Sequence, residues 1–226
     1  MPSRAAVIPL ILALALALAP ARAEQANLSP DPEAAPGAAS QLVLAQRLFR
    51  QASESGDPVL LLAAIRLARG VTLRPAPGWE RMTGDETEPS TSAGLPDPAG
   101  PAALAMLQGL AVDDPDLQDL VYDLDAQVPQ GRLPVATVAR SDLNGGETQE
   151  WRLPLSGSVA AEIALIGAGN TALGLSVTDD TGAEICSRPP ALDPALCRFS
   201  PARNGFFTVQ VVNAGAEGNS YKLVGN

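Results

Sequence analysis

Trp151-Arg152-Leu153-Pro154-Leu155, Leu173-Gly174-Leu175-Ser176-Val177-Thr178, Gly205-Phe206-Phe207-Thr208-Val209-Gln210-Val211-Val212-Asn213 and Tyr221-Lys222-Leu223 decide the fold of this chain. In each segment apolar residues alternate with polar or small ones at a period of two, which gives a strand one face for a core and one for water. Extended over the C-terminal part, the pattern predicts strands at Val135 to Arg140, Thr148 to Leu155, Val159 to Ile166, Leu173 to Thr178, Glu184 to Ser187, Leu196 to Phe199, Phe206 to Val212 and Ser220 to Val224. Turn signals separate them: Asn144-Gly145-Gly146, Gly167 to Asn170, Asp179-Asp180-Thr181-Gly182, Asn204-Gly205 and Asn213 to Asn219. Eight short strands with no helices between them predict two packed antiparallel sheets. Pro154 cannot donate to a ladder, so its strand is expected at a sheet edge.

Working outward, Cys186 and Cys197 are the only two cysteines. They are expected to form one structural disulfide, closing the Pro-rich loop Ser187 to Leu196 and pinning a Glu184 to Phe199 hairpin; redox pairs stand about two residues apart at a helix N-terminus, and these do not. Towards the N-terminus, Pro129 to Pro134 reads as the boundary of the sandwich. Before it lie two helix, Asp-Pro, helix units. Leu42, Ala45, Leu48, Phe49 and Ala52 recur at helical spacing, and Asp57-Pro58 starts a second helix, to Arg69, that is apolar almost all round and must be buried on more than one side. Ala102 to Ala111 puts Leu104, Leu107 and Leu110 on one face, and Asp114-Pro115 starts a helix with Leu117, Leu120, Val121 and Leu124 at i, i+3, i+4 and i+7. The two units predict a small four-helix cluster or a two-repeat fragment of a solenoid, and two repeats are too few for a peptide-binding superhelix. Between them, residues 74–101 have the composition of a flexible insert, with Trp79 suited to pack back on the helices.

The expected organisation is α+β and multidomain: signal peptide 1–23, linker 24–39, small all-α helical region 40–128 and antiparallel jelly-roll-like β-sandwich 129–226. Arg4, the apolar run Ala5 to Ala19 and Ala21-Arg22-Ala23 compose an export signal. Its apolar run is too short for a stable span, no second stretch of spanning length follows, and no cysteine stands where a lipid would attach. Cleavage after Ala23 removes two of the 15 basic residues and none of the 25 acidic ones, taking the net charge from -10 to -12. The mature protein is therefore expected to be periplasmic or secreted, with no membrane span.

Lys222 is the only lysine and no basic cluster is visible in the sequence, which disfavours nucleic acid as a partner. The absence of histidine removes the usual general base, the Ser-His and Cys-His pairs and the commonest zinc ligand. No phosphate loop, zinc motif or nucleophile elbow is present. Asp179, Asp180 and Glu184 around Gly182 form the best local acid cluster, read as a hairpin turn rather than a calcium loop. Asp113, Asp114 and Asp116 read as helix-start charges, and Asp123 and Asp125 as a polar face.

The order Leu173-x-Leu175-x-Val177-x-Asp179-x-x-Gly182, then Pro201 to Gly205 leading into Phe207-x-Val209-x-Val211, then Tyr221-x-Leu223, resembles the bacterial pre-peptidase C-terminal domain. The resemblance covers about the last 90 residues. It implies a jelly-roll-like sandwich of the kind found on secreted proteases and other exported proteins. Related domains carry acidic residues where this chain has Gly169-Asn170-Thr171-Ala172-Leu173-Gly174, so the likeness implies no calcium site. No protease signature accompanies it. The expected role is thus a non-catalytic exported module, without cofactor or metal, for a protein, glycan or envelope component. The alternative is a secreted hydrolase with paired carboxylates, which requires two acids within about 5 to 10 Å in a deep pocket.

Overall fold

The computed structural model describes residues 25–30, 35–82, 94–126 and 133–226. The expected signal peptide, the centre of the insert at Gly84 to Ser92 and the Pro129 to Gly131 boundary lie outside them. Four helices come first: α1 (Ala38–Ser55), α2 (Pro58–Arg69), α3 (Pro101–Leu110) and α4 (Pro115–Ala126). Asp57 caps α2 by accepting from the N–H groups of Val59 and Leu60, both at 2.9 Å. Asp114 accepts from Leu117 N–H at 3.1 Å at the start of α4. Gly56 ends α1 at φ 67°, a left-handed turn that costs glycine nothing. Phe49, Ala52, Leu61, Ala64, Ile65, Leu107, Leu117 and Val121 share one core, so the four helices form the expected cluster. Three apolar positions differ: Val59, Leu110 and Leu120 are exposed, because the cluster covers fewer faces than the helices offer.

The sandwich contains ten strands. β1 (Thr72–Pro75) and β2 (Glu80–Arg81) are followed by β3 (Val135–Leu143), β4 (Thr148–Leu155), β5 (Ala161–Gly167) and β6 (Leu173–Thr178). β7 (Glu184–Ala191), β8 (Ala195–Phe199), β9 (Gly205–Asn213) and β10 (Asn219–Gly225) complete it. One sheet runs β1-β3-β10-β5-β8 and the other β2-β4-β9-β6-β7. From β3 onward the pairing is nested: β3 with β10, β4 with β9, β5 with β8 and β6 with β7. A long hairpin folded over itself in this way is a jelly roll. Leu153, Ile163, Leu165, Leu175, Val177, Phe207, Val209, Val211 and Leu223 fill the space between the sheets.

Several positions refine the sequence reading. β2 lies in the low-complexity insert and β1 runs into its start; β1 adds to β3 in parallel and β2 to β4 antiparallel, so the backbone of Thr72 to Pro75 finds its partners in the sandwich. Trp79 packs on the sandwich core rather than on the helices, its ring against Gly225. β2 covers only Trp151 and Arg152, so Pro154 lies on a stretch of β4 with one neighbour, β9. The disulfide is present, with Cα atoms 5.9 Å apart. It does not pin a hairpin, however. β7 and β8 belong to opposite sheets, and both are edge strands, so Cys186–Cys197 staples the two layers together along one open side.

Helix α1 joins the two parts of the chain. Ala38, Ala39, Leu42 and Val43 pack on Ala136, Val138, Ala164, Ile166 and Val224 on the outer face of the first sheet, while Phe49 and Ala52 belong to the helical core. That cover explains why β5 is buried on both faces from Ala161 to Ile166.

Replacing both cysteines by alanine should lower the unfolding free energy by about 3 kcal/mol, the loop-closure contribution of a bridge of this span. Urea titration followed by tryptophan fluorescence measures it; an unchanged midpoint would show that the core alone holds the layers.

Candidate functional site

Along the outer face of the first sheet the outward positions change character. On β3 they read Ala136, Val138, Arg140, Asp142; on β10, from the opposite direction, Val224, Lys222, Ser220. The apolar half lies under α1 and the charged half extends past it. A third wall is the segment after Gly94, tied down by Leu95 N–H donating to Ala168 O at 2.7 Å. The approach is so close that a Cβ at Gly94 would meet Ala168 O at 2.7 Å, which only glycine avoids. Together these walls enclose an open groove of about 370 Å³ lined by Asp97, Arg140, Asp142, Ser220 and Lys222, with Gln46 from α1 at its side.

Lys222 pairs with Asp97 at 2.9 Å, and Ser220 Oγ donates to Asp142. Burial opposes ionisation of Asp97, but Lys222, the Ala99 N–H at 3.1 Å and the nearby Arg140 outweigh it and hold the carboxyl below the usual carboxylate range. Arg140 itself is exposed. The groove therefore presents both signs of charge to solvent.

The acids singled out in the sequence do other work. Asp179 is buried and accepts from Thr181 N–H, Thr181 Oγ1, Ala183 N–H and Asn27 N–H, at 2.9, 2.6, 3.0 and 2.6 Å. Burial opposes its charge, and these four donors more than compensate, leaving its pKa lowered. Asp180 pairs with Arg203 at 2.9 Å. The turn is thus a hairpin cap, and its fourth donor reveals a clasp the sequence did not: Asn27, fully buried, also donates to Arg203 O and accepts from Arg203 N–H, at 3.0 and 2.8 Å. Among the described residues no group of three potential metal-ligating side chains occurs. Asn170, in the loop that lacks acids, donates to Gly218 O at 2.8 Å.

Two more buried polar centres were not legible. Glu162, on β5, accepts from Gly37 N–H at 2.8 Å and from both Ser40 N–H and Ser40 Oγ at 3.1 and 2.5 Å, and lies 3.6 Å from Arg198 Nε. It caps α1, whose N-cap residue Gly37 has no side chain to do so. Burial again acts against the charge, and the Gly37 and Ser40 hydrogen bonds with Arg198 overcome it, lowering the Glu162 pKa. Between the sheets, Trp151 Nε1 donates to Tyr221 Oη at 2.7 Å and Tyr221 donates to Gln149 Oε1. Burial pushes the Tyr221 phenol up to about 12.

No family model and no curated protein matches the sequence. The likeness to pre-peptidase C-terminal domains is met again among solved structures. The domain from Bacillus anthracis collagenase is 15% identical over 39% of this chain and 87% of its own, with a TM-score of 0.34. PliG, a periplasmic inhibitor of g-type lysozyme from Aeromonas hydrophila, is 15% identical over 45% of this chain and 91% of its own, with a TM-score of 0.31. A chitosan-binding module of a Paenibacillus sp. IK-5 chitosanase/glucanase is 14% identical over 38% and 75%, with a TM-score of 0.24.

Because the Glu162 pKa is lowered on folding, its stabilisation is complete well above pH 4.5 and is lost as pH falls through the folded value. Glu162→Gln should cost about 1.5–3 kcal/mol at pH 7 and a smaller amount at pH 3. Urea midpoints of the two proteins across pH 3 to 7 should converge on acidification; a constant gap would remove the carboxylate from the explanation.

Proposed function

We propose that this chain is an exported, non-catalytic binding protein whose jelly roll engages a protein or glycan of the cell envelope through the groove flanking α1. Residues 1–23 act as the signal peptide, and the helical cluster serves as the adaptor that α1 fixes to the sandwich. A disulfide between two edge strands fits an oxidising compartment.

The observation that carries this reading is the state of the acids. Among the described residues, each carboxyl with a displaced pKa, Asp97, Glu162 and Asp179, is displaced downward by donors that already occupy it. A general acid for glycoside hydrolysis needs the opposite shift. In the groove, Asp97 is committed to Lys222 and Asp142 to Ser220, which leaves them as fixed charges for recognition. Arg140, exposed on the same floor, supplies a guanidinium to a partner's acceptors.

Arg140→Glu should leave the melting temperature within a few degrees and weaken retention on an immobilised panel of envelope glycans and peptides at least tenfold. Turnover of any panel member, abolished by Asp97→Asn or Asp142→Asn, would replace this reading with the carboxylate hydrolase.

A further inference from the structure

A second cleft, of about 440 Å³, lies on the other flank of α1, between that helix and the β7 to β8 connection. Its apolar walls are Pro189, Pro194 and Leu196, and Arg47, Arg188 and Arg198 converge on it. Such a concentration is notable in a chain of net charge -10. Two acids stand there, Asp193 on the lining of the cleft itself and Glu162 behind Arg198, and each is paired with an arginine. Asp193 pairs with Arg50 at 2.8 Å, and Glu162 lies against Arg198. Arg47 and Arg188 are different: among the described residues each bonds only to carbonyl oxygens. Arg47 Nη2 donates to Pro194 O at 3.2 Å, and Arg188 donates through Nε to Leu196 O at 2.9 Å and through Nη1 to Ser187 O at 3.2 Å.

Those anchors fix the geometry. Pro194, just before β8, and Leu196 within it are two positions apart, so the carbonyls to which the two guanidinium groups are tethered lie about 7 Å apart along the chain. Carbonyl bonds leave both charges uncompensated while using only part of the five donors each guanidinium carries. Two fixed, uncompensated positive charges match a dianion. The disulfide closes the loop that contains Pro189 to Leu196, and Arg50 holds Leu192 O and Asp193 from α1, so the walls are tied at both ends.

We propose that this arginine cleft is a binding site for a phosphate group, carried either on a small soluble ligand or on a lipid. The site is separate from the mixed-charge groove, and it stands whether or not the groove binds an envelope partner. Isothermal titration of the whole mature protein with inorganic pyrophosphate, and flotation with phosphatidylcholine vesicles with and without phosphatidic acid, test the two sources. The expected result is saturable pyrophosphate binding, weakened at least tenfold by Arg47→Gln or Arg188→Gln and unchanged by Arg140→Glu. The glutamines retain a donor for the β8 carbonyls, and unchanged circular dichroism establishes that the variants fold. Vesicle binding that requires phosphatidic acid and is lost in the same two variants assigns the site to a lipid phosphate. Failure to bind in both arms, or binding indifferent to Arg47 and Arg188, overturns the proposal.

Discussion

A helix lying on the outside of a sheet is the constraint on which the rest of this molecule depends. The outer face of a sandwich sheet usually meets water, yet here β5 is buried on both sides and α1 covers it. The apolar contact sets the position of the helix, and Glu162 sets its end. Its carboxylate takes the N–H groups at the start of α1 that Gly37 cannot cap, and it does so from within the sheet, so helix and sandwich register on one buried charge. Everything on the helical side then follows from α1: α2 packs on its far half, α3 and α4 pack on α2, and the arginines of α1 hold the chain between β7 and β8.

Charge and edge protection are linked through those arginines. A jelly roll leaves open sheet edges that invite unwanted pairing, and each of the four is blunted. β7 carries Pro189 and Pro190, β1 ends in Pro75, β2 is two residues long, and at β8 the carbonyls of Leu196 and of Pro194 just before the strand are occupied by Arg188 and Arg47. The Cys186–Cys197 bond fastens the β7 and β8 edges to one another. Two ordinary protective devices thereby assemble a positively charged recess in an acidic protein.

Much of the fold was legible because it rests on local periodicity. Phe207, Val209 and Val211 alternate in the sequence and all three are fully buried, and Asp57-Pro58 starts α2 where the cap chemistry requires. What stayed hidden depends on partners distant in sequence. The outward residues Arg140 and Lys222 look like the wet side of any strand until α1 and Asp97 enclose them. Glu162 looks like a solvated charge, since its donors stand 122 and 125 positions away. Asn213 and Asn219 read as turn residues and are in fact buried braces: Asn213 Nδ2 donates to Leu143 O, Asn144 O and Glu217 O, and Asn219 Nδ2 to Thr171. The two ends of the disulfide were readable; that it crosses between layers was not, because a spacing of 11 suits a hairpin as well as a crossover.

The nested pairing also dictates an order of events. In the first sheet β10 is the sole bridge between β1-β3 and β5-β8, and in the second β9 is the sole bridge between β2-β4 and β6-β7. Until Gly205 to Gly225 is available, neither sheet exists as a continuous surface, only separate fragments with open edges. Pairings this distant in sequence close slowly. A chain that becomes available N-terminus first therefore receives its keystones last, and its two sheets close only once that final segment is free.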